Sequence, residues 1–268
     1  MLGALFASIT AGFAGTYIVT RKMVFLSGGI THASFGGIGI GYYAGINPVA
    51  GAAVFGVLSA LGIEYLSINH RIREDSAIGI LWAFGMATGI IFIYLTPGYS
   101  PNLMSYLFGS ILTVTNADII ALGIMSVIFF IYFGVFYRTI LYTSFDESFA
   151  RTYSSGVDAF KYVTTSLIAL TIVLNIRMAG VILVLSLLTL PPNIAMLFTR
   201  KYSLIILVSI LTGFAGTASG YVISYFAGIP VGATIIFTLV IMWIIAKGIT
   251  MLMLSGFSNL NPDCDRKQ

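Results

Sequence analysis

Apolar runs of about 20 residues recur along almost the whole chain, separated by short polar connections. A run of that length crosses the roughly 30 Å of hydrocarbon in a bilayer as one α-helix. Soluble domains carry about 25% charged residues, whereas this chain of 268 residues carries 8% and is 58% hydrophobic. The runs do not alternate apolar and polar residues, as strands of a membrane β-barrel do. The sequence therefore predicts an all-α, polytopic membrane protein with eight or nine transmembrane helices.

The predicted helices form a single membrane domain over residues 1–250, followed by a polar cytoplasmic tail at 251–268. Both eight and nine crossings fit, because the segment 160–175 is short and begins beside Lys161. The stretch 96–115 contains two prolines and a short apolar piece, which predicts a re-entrant or partial helix buried in protein. The expected helices span 2–20, 30–46, 49–68, 76–95, 117–137, 160–175, 178–198, 203–226 and 231–250.

The basic residues predict the orientation of these helices. When nine helices are threaded with the N-terminus outside, all 13 lysines and arginines except Arg177 fall on one side. The positive-inside rule makes that side cytoplasmic, so the C-terminus is expected inside the cell. The net charge of +4 comes from residues at the ends of apolar runs, and it therefore indicates no nucleic-acid partner.

Three motifs that mark common classes of enzyme are missing from the sequence. It contains no G-x-x-x-x-G-K-[ST] phosphate loop, no H-E-x-x-H helix and no G-x-S-x-G elbow. Two histidines and nine carboxylates cannot easily assemble a buried acid–base site. These absences favour a channel, carrier or permease over an enzyme.

His32 is the main candidate for chemistry, because it lies in the otherwise uncharged and glycine-rich stretch 23–45. An ionisable side chain inside a membrane is costly and usually lines a pathway, and imidazole is a common metal ligand. Ser34 would add to a modestly polar face. The alternative is a packed histidine that is hydrogen-bonded to a carbonyl or to Ser34. One imidazole cannot hold zinc alone, but a transport site must also release its ion.

Two carboxylates near the helix ends have structural and functional interpretations. Asp118 opens the helix 117–137 near the outer surface, where it caps the helix or attracts ions to a pathway. Glu64 lies near the inner end of 49–68, where it is expected to pair with Arg71 or to reach water. In the next polar connection, Ser144 or Asp146 is expected to cap a short helix.

Two of the helices are distinguished by their glycines or prolines. Gly37, Gly41 and Gly45 fall on one helix face, which predicts close helix packing in lipid. Pro191 and Pro192 remove two amide donors and predict a kink or break in their helix. In transporters, broken helices mark sites where backbone groups face a cavity.

The sequence resembles the metal-type permeases of ATP-binding-cassette transporters, the membrane subunits of zinc, manganese and iron importers, and most of all the zinc permease. The likeness covers nearly the whole chain, from about residue 5 to residue 248. Its most specific points are His-Ala-Ser at 32–34, Tyr-Leu-Phe-Gly at 106–109 and the double proline. The stretches that carry it, in chain order, are 23–45, 104–118, 180–200 and 220–235.

This resemblance implies a pair of identical permeases in the lipid of the bacterial cytoplasmic membrane. Two ATPase subunits would bind inside and a metal-loaded binding protein outside, and a divalent metal would be the transported substrate, with no tightly bound cofactor. The polar segment 138–161 corresponds to the family's cytoplasmic coupling region. Within it, the residues implied to contact the ATPase are Phe145, Asp146, Glu147 and Phe149.

One departure from the family pattern concerns the metal site. Many relatives carry an aspartate four residues before the histidine, whereas this chain has Gly28. The ion path would then rely on backbone carbonyls or on His32 from each of two copies.

The alternative function is a secondary carrier for a small solute, although such carriers often show internal repeats and intramembrane acids. An intramembrane enzyme would need a buried catalytic pair, which the sequence does not offer.

Overall fold

The computed structural model describes residues 1–70, 72–97, 114–153 and 156–260, and no strand occurs in this part of the chain. Its helices are of two kinds, nine long and two short. The long helices are α1 (Leu2–Thr20), α2 (Val24–Ala44), α3 (Pro48–His70), α4 (Glu74–Leu95), α5 (Asn116–Val135), α8 (Val157–Ala179), α9 (Val181–Phe198), α10 (Tyr202–Ala227) and α11 (Val231–Leu260). The short helices are α6 (Tyr137–Phe145) and α7 (Glu147–Tyr153).

Eight of the long helices in the described part are apolar enough to cross a membrane by themselves. The ninth is α2, whose 21 residues also suffice to cross a bilayer. Its hydropathy is lower because it contains His32, several hydroxyl side chains and six glycines. The expected range of eight or nine crossings therefore agrees with the described fold.

The helices pack in two groups joined by α8. One group contains α2, α3 and α4, and the other contains α1, α9, α10 and α11, while α8 packs against both α3 and α9. The largest buried side chains belong to one continuous core cluster and include Tyr17, Phe129, Ile172 and Leu188. Exposed apolar side chains cover the outward faces of α4, α5, α10 and α11, as expected for surfaces that contact lipid tails.

Charged side chains gather at the two ends of the bundle. Arg21 at the end of α1 lies near Glu74 at the start of α4, which defines what we call the charged end. Asp118 at the start of α5 pairs with Arg177 near the end of α8, at the opposite end. The helix directions predicted from the basic residues require this same grouping.

The glycines of α2 allow it to pack backbone to backbone. A Cβ atom on Gly37 would overlap the carbonyl of Gly51 in α3, and one on Gly41 would lie 2.8 Å from the Cα of Pro48. Gly45 does not share this contact. It ends α2 in the left-handed conformation with φ 67°, which glycine adopts without strain, and a Cβ there would meet nothing within 4 Å.

The double proline does not break its helix, because α9 is continuous through Pro191 and Pro192. Pro192 has no N–H to donate to the carbonyl of Leu188, four residues earlier. That carbonyl faces Gly15 of α1 so closely that any Cβ at Gly15 would overlap it. The helix therefore continues where a neighbouring helix covers the freed carbonyl, which is how membrane helices tolerate proline.

Several boundaries differ from the predicted ones. Helix α2 begins at Val24 rather than at residue 30, and α8 spans 23 residues rather than the 16 of 160–175. Helix α11 continues to Leu260, ten residues into the predicted tail. Most of the predicted partial helix at 96–115 lies outside the described residues, as does 261–268.

Candidate functional site

His32 lies on α2, where its imidazole stacks on the indole of Trp82 from α4. The ring centroids are 4.3 Å apart and the planes differ by 6°. The histidine is half-buried, and no hydrogen bond to its ring nitrogens occurs among the described residues. The imidazole is therefore held by its face, and none of the described residues occupies its nitrogens.

The space beside His32 is left open by Gly28, one helical turn earlier. A Cβ at Gly28 would lie 3.7 Å from the Trp82 ring and 3.9 Å from Leu185 of α9, both ordinary contacts. The packing at Gly28 therefore accommodates the Cβ of the aspartate expected from the family pattern. In this chain, Gly28 places no carboxylate beside the imidazole of His32.

Ser34 does not share a face with His32. It is fully buried, and its hydroxyl donates to the carbonyl oxygen of Ile30 at 2.7 Å. Its Oγ lies close to Gly56 of α3, whereas His32 faces α4. A polar face containing both side chains is thus not formed within one protomer.

A metal site built from three or more ligating side chains is absent from the described part of the chain. No group of three or more histidine, cysteine or acidic residues could hold an ion there. A recess of about 360 Å³ at the opposite end is lined mainly by apolar residues of α1, α8 and α9, and His32 is not among them. Among the described residues, His32 therefore stands without a second metal-ligating side chain in a group of three or more, and a metal bound there would need further ligands.

Asp118 forms the cap of α5 and an ion pair. Its carboxylate accepts from the amide and hydroxyl of Thr115 at 2.8 and 2.7 Å, which closes a capping box. Its other oxygen lies 2.8 Å from the guanidinium of Arg177. Both carboxylate oxygens are occupied, so the geometry favours capping, while a role for Asp118 in a pathway stays a prediction.

A buried ion pair at the charged end joins α3 to α8. The Lys161 ammonium lies 3.4 Å from the Glu64 carboxylate, and their side chains are 3% and 1% exposed. Thr165 donates its hydroxyl to the other Glu64 oxygen at 2.8 Å. Glu64 was expected to pair with Arg71 or to reach water. It does not reach water, because α8 begins early enough to bring Lys161 against it, while Arg71 lies outside the described residues.

Glu147 extends this pair into a larger group, which we call the charged cluster. Its carboxylate lies 3.1 Å from the guanidinium of Arg21 and 3.3 Å from the ammonium of Lys161. The outer cation Arg151 contacts it at 2.9 Å. Burial alone would raise the pKa of Glu147, but the three cations lower it, so the carboxylate stays charged. The charged cluster consists of Arg21, Glu64, Glu74, Glu147 and Lys161.

The four residues predicted to contact an ATPase point in different directions. Phe145 and Phe149 are 62% and 51% exposed at the charged end. Asp146 separates α6 from α7 and caps α7 by accepting from the amide of Phe149 at 3.0 Å. Glu147 instead turns inward to the charged cluster. Of these four residues, Phe145, Phe149 and the capping Asp146 thus face outward, and Glu147 does not.

Sequence reasoning missed Trp82 and the pairing of Glu64 with Lys161. Nothing in the sequence marks Trp82, because aromatic residues are common in membrane helices. The ion pair did leave a signal, since two opposite charges inside apolar runs usually neutralise each other. Finding it required the true start of α8.

These features define a polytopic helical membrane protein with a single intramembrane imidazole and a short amphipathic segment exposed at its charged end. The chain belongs to the ABC 3 transport family, whose model matches residues 1–249. It is 38% identical to a probable metal transport system membrane protein of Chlamydia pneumoniae over 87% of this chain and 82% of that one. It is 33% identical to the manganese transport system membrane protein MntC of Listeria monocytogenes, over 91% and 88%.

A solved structure has the same fold. The chain superposes on PsaBC from Streptococcus pneumoniae, determined in complex with Fab, with a TM-score of 0.80 and 30% sequence identity. The match covers 91% of this chain and 88% of the other. The identification as a permease of the ATP-binding-cassette type, predicted from the sequence, is therefore confirmed.

Proposed function

We propose that this chain is the permease subunit of an ATP-binding-cassette importer that moves a divalent metal ion into the cell. The observation that carries the proposal is the match to one transport family over residues 1–249. Relatives are named for metal and manganese transport. The ATP would be hydrolysed by a separate subunit, since no phosphate loop occurs in this sequence.

The permease would work as a pair in the bacterial cytoplasmic membrane, with the charged end inside. The orientation is supported by the basic residues, because all but Arg177 fall on the inner side of the predicted topology. A second copy would supply the ligands that one protomer lacks beside His32. A metal-binding protein would deliver the ion at the opposite end.

His32 would act as a transient ligand on the path. Its stacking on Trp82, and the lack of any bond from the described residues to its ring nitrogens, support this role. The metal is proposed to be manganese first, on the names of the relatives, with zinc and iron as the other candidates. A site with few protein ligands binds weakly enough to release its ion on the inner side.

The ATPase would dock on the exposed aromatic face of α6 and α7. Phe149 forms a T-shaped contact with Tyr142 at 5.1 Å, so the exposed ring is held in a defined position. Phe149→Ala should reduce the ATPase activity of the assembled complex while the membrane domain stays folded. Phe136→Ala is the control, because Phe136 is 44% exposed but lies at the junction of α5 and α6. Equal ATPase activity in the two variants would refute the docking assignment.

The function is tested by elemental analysis of cells that express the chain with its ATPase and metal-binding protein. Manganese should rise in wild type and fall back with His32→Ala, while His70→Ala, the chain's other histidine, should leave uptake unchanged. A rise that His32→Ala does not alter would remove His32 from the path. No rise in manganese, zinc or iron would refute the proposed function.

A further inference from the structure

Glu147 lies within the segment that resembles an ATPase contact, yet its side chain turns away from that surface. It reaches Arg21 of α1 at 3.1 Å and Lys161 of α8 at 3.3 Å. The side chains of Arg21 and Lys161 are only 7% and 3% exposed. A surface helix of seven residues is thus fastened to two membrane helices through buried cations.

We propose that Glu147 is a positioning residue that connects the ATPase-facing segment to the transport helices. It holds α7 on Arg21 and Lys161, so that a displacement of α7 is passed to α1 and α8. This inference rests on the proposed function in the second of its two tests, which measures transport. It deepens that function, because it assigns to Glu147 a role inside the permease and leaves the docking surface to Phe145 and Phe149.

The surrounding charges make this connection reversible. When Glu147 moves away, Lys161 still has Glu64 at 3.4 Å and Arg21 still has Glu74 at 4.0 Å. Neither buried cation would be left without a carboxylate, which is the situation that makes breaking a buried ion pair costly. The two buried cations can therefore be paired in two ways. With α7 attached they contact Glu147, and with α7 detached they keep Glu64 and Glu74 as partners.

Local packing gives α7 few other attachments. Apart from the buried Ala150, the described positions of α7 are exposed or half-exposed. Its second charged residue, Arg151, is 44% exposed and bonds to Glu147 and to Asp158. An exposed pair of this kind contributes little, about 0.2–1 kcal/mol. Glu147 is hence the main polar link between α7 and the membrane helices.

The first experiment measures the attachment without any transport. A nitroxide spin label is placed at the exposed Thr152 of α7 in a Cys264→Ser background, since Cys264 is the only cysteine. Glu147→Gln keeps the size of the side chain and removes its charge, and it should mobilise the label. Asp158→Asn is the matched control, because among the described side chains Asp158 pairs with Arg151, at the surface, and not with the buried cations. A label that stays equally immobile in both variants overturns the proposal.

The second experiment measures coupling in the complex with its ATPase subunits, reconstituted in liposomes with Mn²⁺. Glu147→Gln should lower the manganese transported per ATP hydrolysed by at least about fivefold, the lower range of typical coupling between sites. Asp158→Asn should leave this ratio unchanged. Glu147→Asp should give an intermediate ratio, because its shorter carboxylate cannot reach Arg21 and Lys161 together. A merely structural role would change the amount of complex and not the ratio.

The outcomes separate the two proposals. If wild type transports no metal, the proposed function fails, and the spin label still decides the role of Glu147. If wild type transports manganese and Glu147→Gln has the wild-type ratio, the positioning role fails and the function stands. Should Glu147→Gln not accumulate in cells, Glu147→Asp decides, and an unchanged ratio in that variant overturns the proposal.

Discussion

The buried pair of Lys161 and Glu64 allows a quantitative test of how the bundle is stabilised. Lys161→Met removes the cation and leaves the Glu64 carboxylate, which is 1% exposed, without its main counter-charge. Breaking a buried pair in this way costs about 3–5 kcal/mol. We expect Lys161→Met to lower the free energy of unfolding by that amount.

The double variant Lys161→Met with Glu64→Leu should recover most of this loss. Replacing both partners of a buried pair by apolar residues of similar size is often neutral or stabilising. Two residual costs remain: Glu147 keeps only two of its three cations, and Thr165 must turn its hydroxyl to its own helix. Each is on the order of 1 kcal/mol, so the double variant should lie within about 2 kcal/mol of wild type.

The assay is an unfolding titration with SDS in mixed micelles, followed by the fluorescence of the two tryptophans. Arg151→Met is the control, because its pairs are exposed and should contribute below about 1 kcal/mol. A double variant as unstable as Lys161→Met would mean that the loss comes from packing rather than from an uncompensated charge, and the argument would be refuted.

Three further results are expected. Gly15→Ala should destabilise the bundle by about 1–3 kcal/mol, because its Cβ would overlap a carbonyl of α9. Gly79→Ala is the control: its Cβ meets nothing within 4 Å, so it should be neutral or slightly stabilising in the same titration. Gly28→Asp should place a carboxylate one turn from His32 and lower the KM for manganese by about tenfold; an unchanged KM would contradict this use of the space. Nearby cations lower the pKa of Glu147. The contribution of its carboxylate to the attachment of α7 is therefore complete above the ordinary glutamate pKa of about 4.3, and it is lost as the pH falls through the lowered native pKa. The spin label on α7 should therefore be immobile at neutral pH and mobilise only below about pH 4, and mobilisation near pH 6 would contradict the assignment.

Much of the fold could be predicted, because the length and apolarity of a run fix whether it crosses a bilayer. The errors arose where neighbours decide the outcome. Lys161 suggested a late start for α8, but its charge is neutralised by Glu64 on another helix. The double proline suggested a break, but Gly15 of α1 covers the freed carbonyl. Neither partner lies near in sequence, so neither effect is visible in it.

The candidate site was predictable in part. His32 was identified as an ionisable ring in an apolar run, and its stacking on Trp82, with no described residue bonded to its nitrogens, keeps it the main candidate. Ser34 was grouped with His32 by closeness in sequence, and Glu147 was grouped with Phe149 by the family resemblance. Their directions depend on helix phase and on partners from other helices, and in both cases the side chain turned elsewhere.

Helix α2 also has a consequence for how the protein is made. It lies among helices rather than facing lipid, and it is the one long helix in the described part that falls short of the apolarity for crossing a membrane alone. During synthesis it emerges before α3 and α4, whose backbones its glycines are shaped to meet. We therefore expect α2 to settle in the bilayer together with α3 and α4, once the surfaces that meet its glycines have been made.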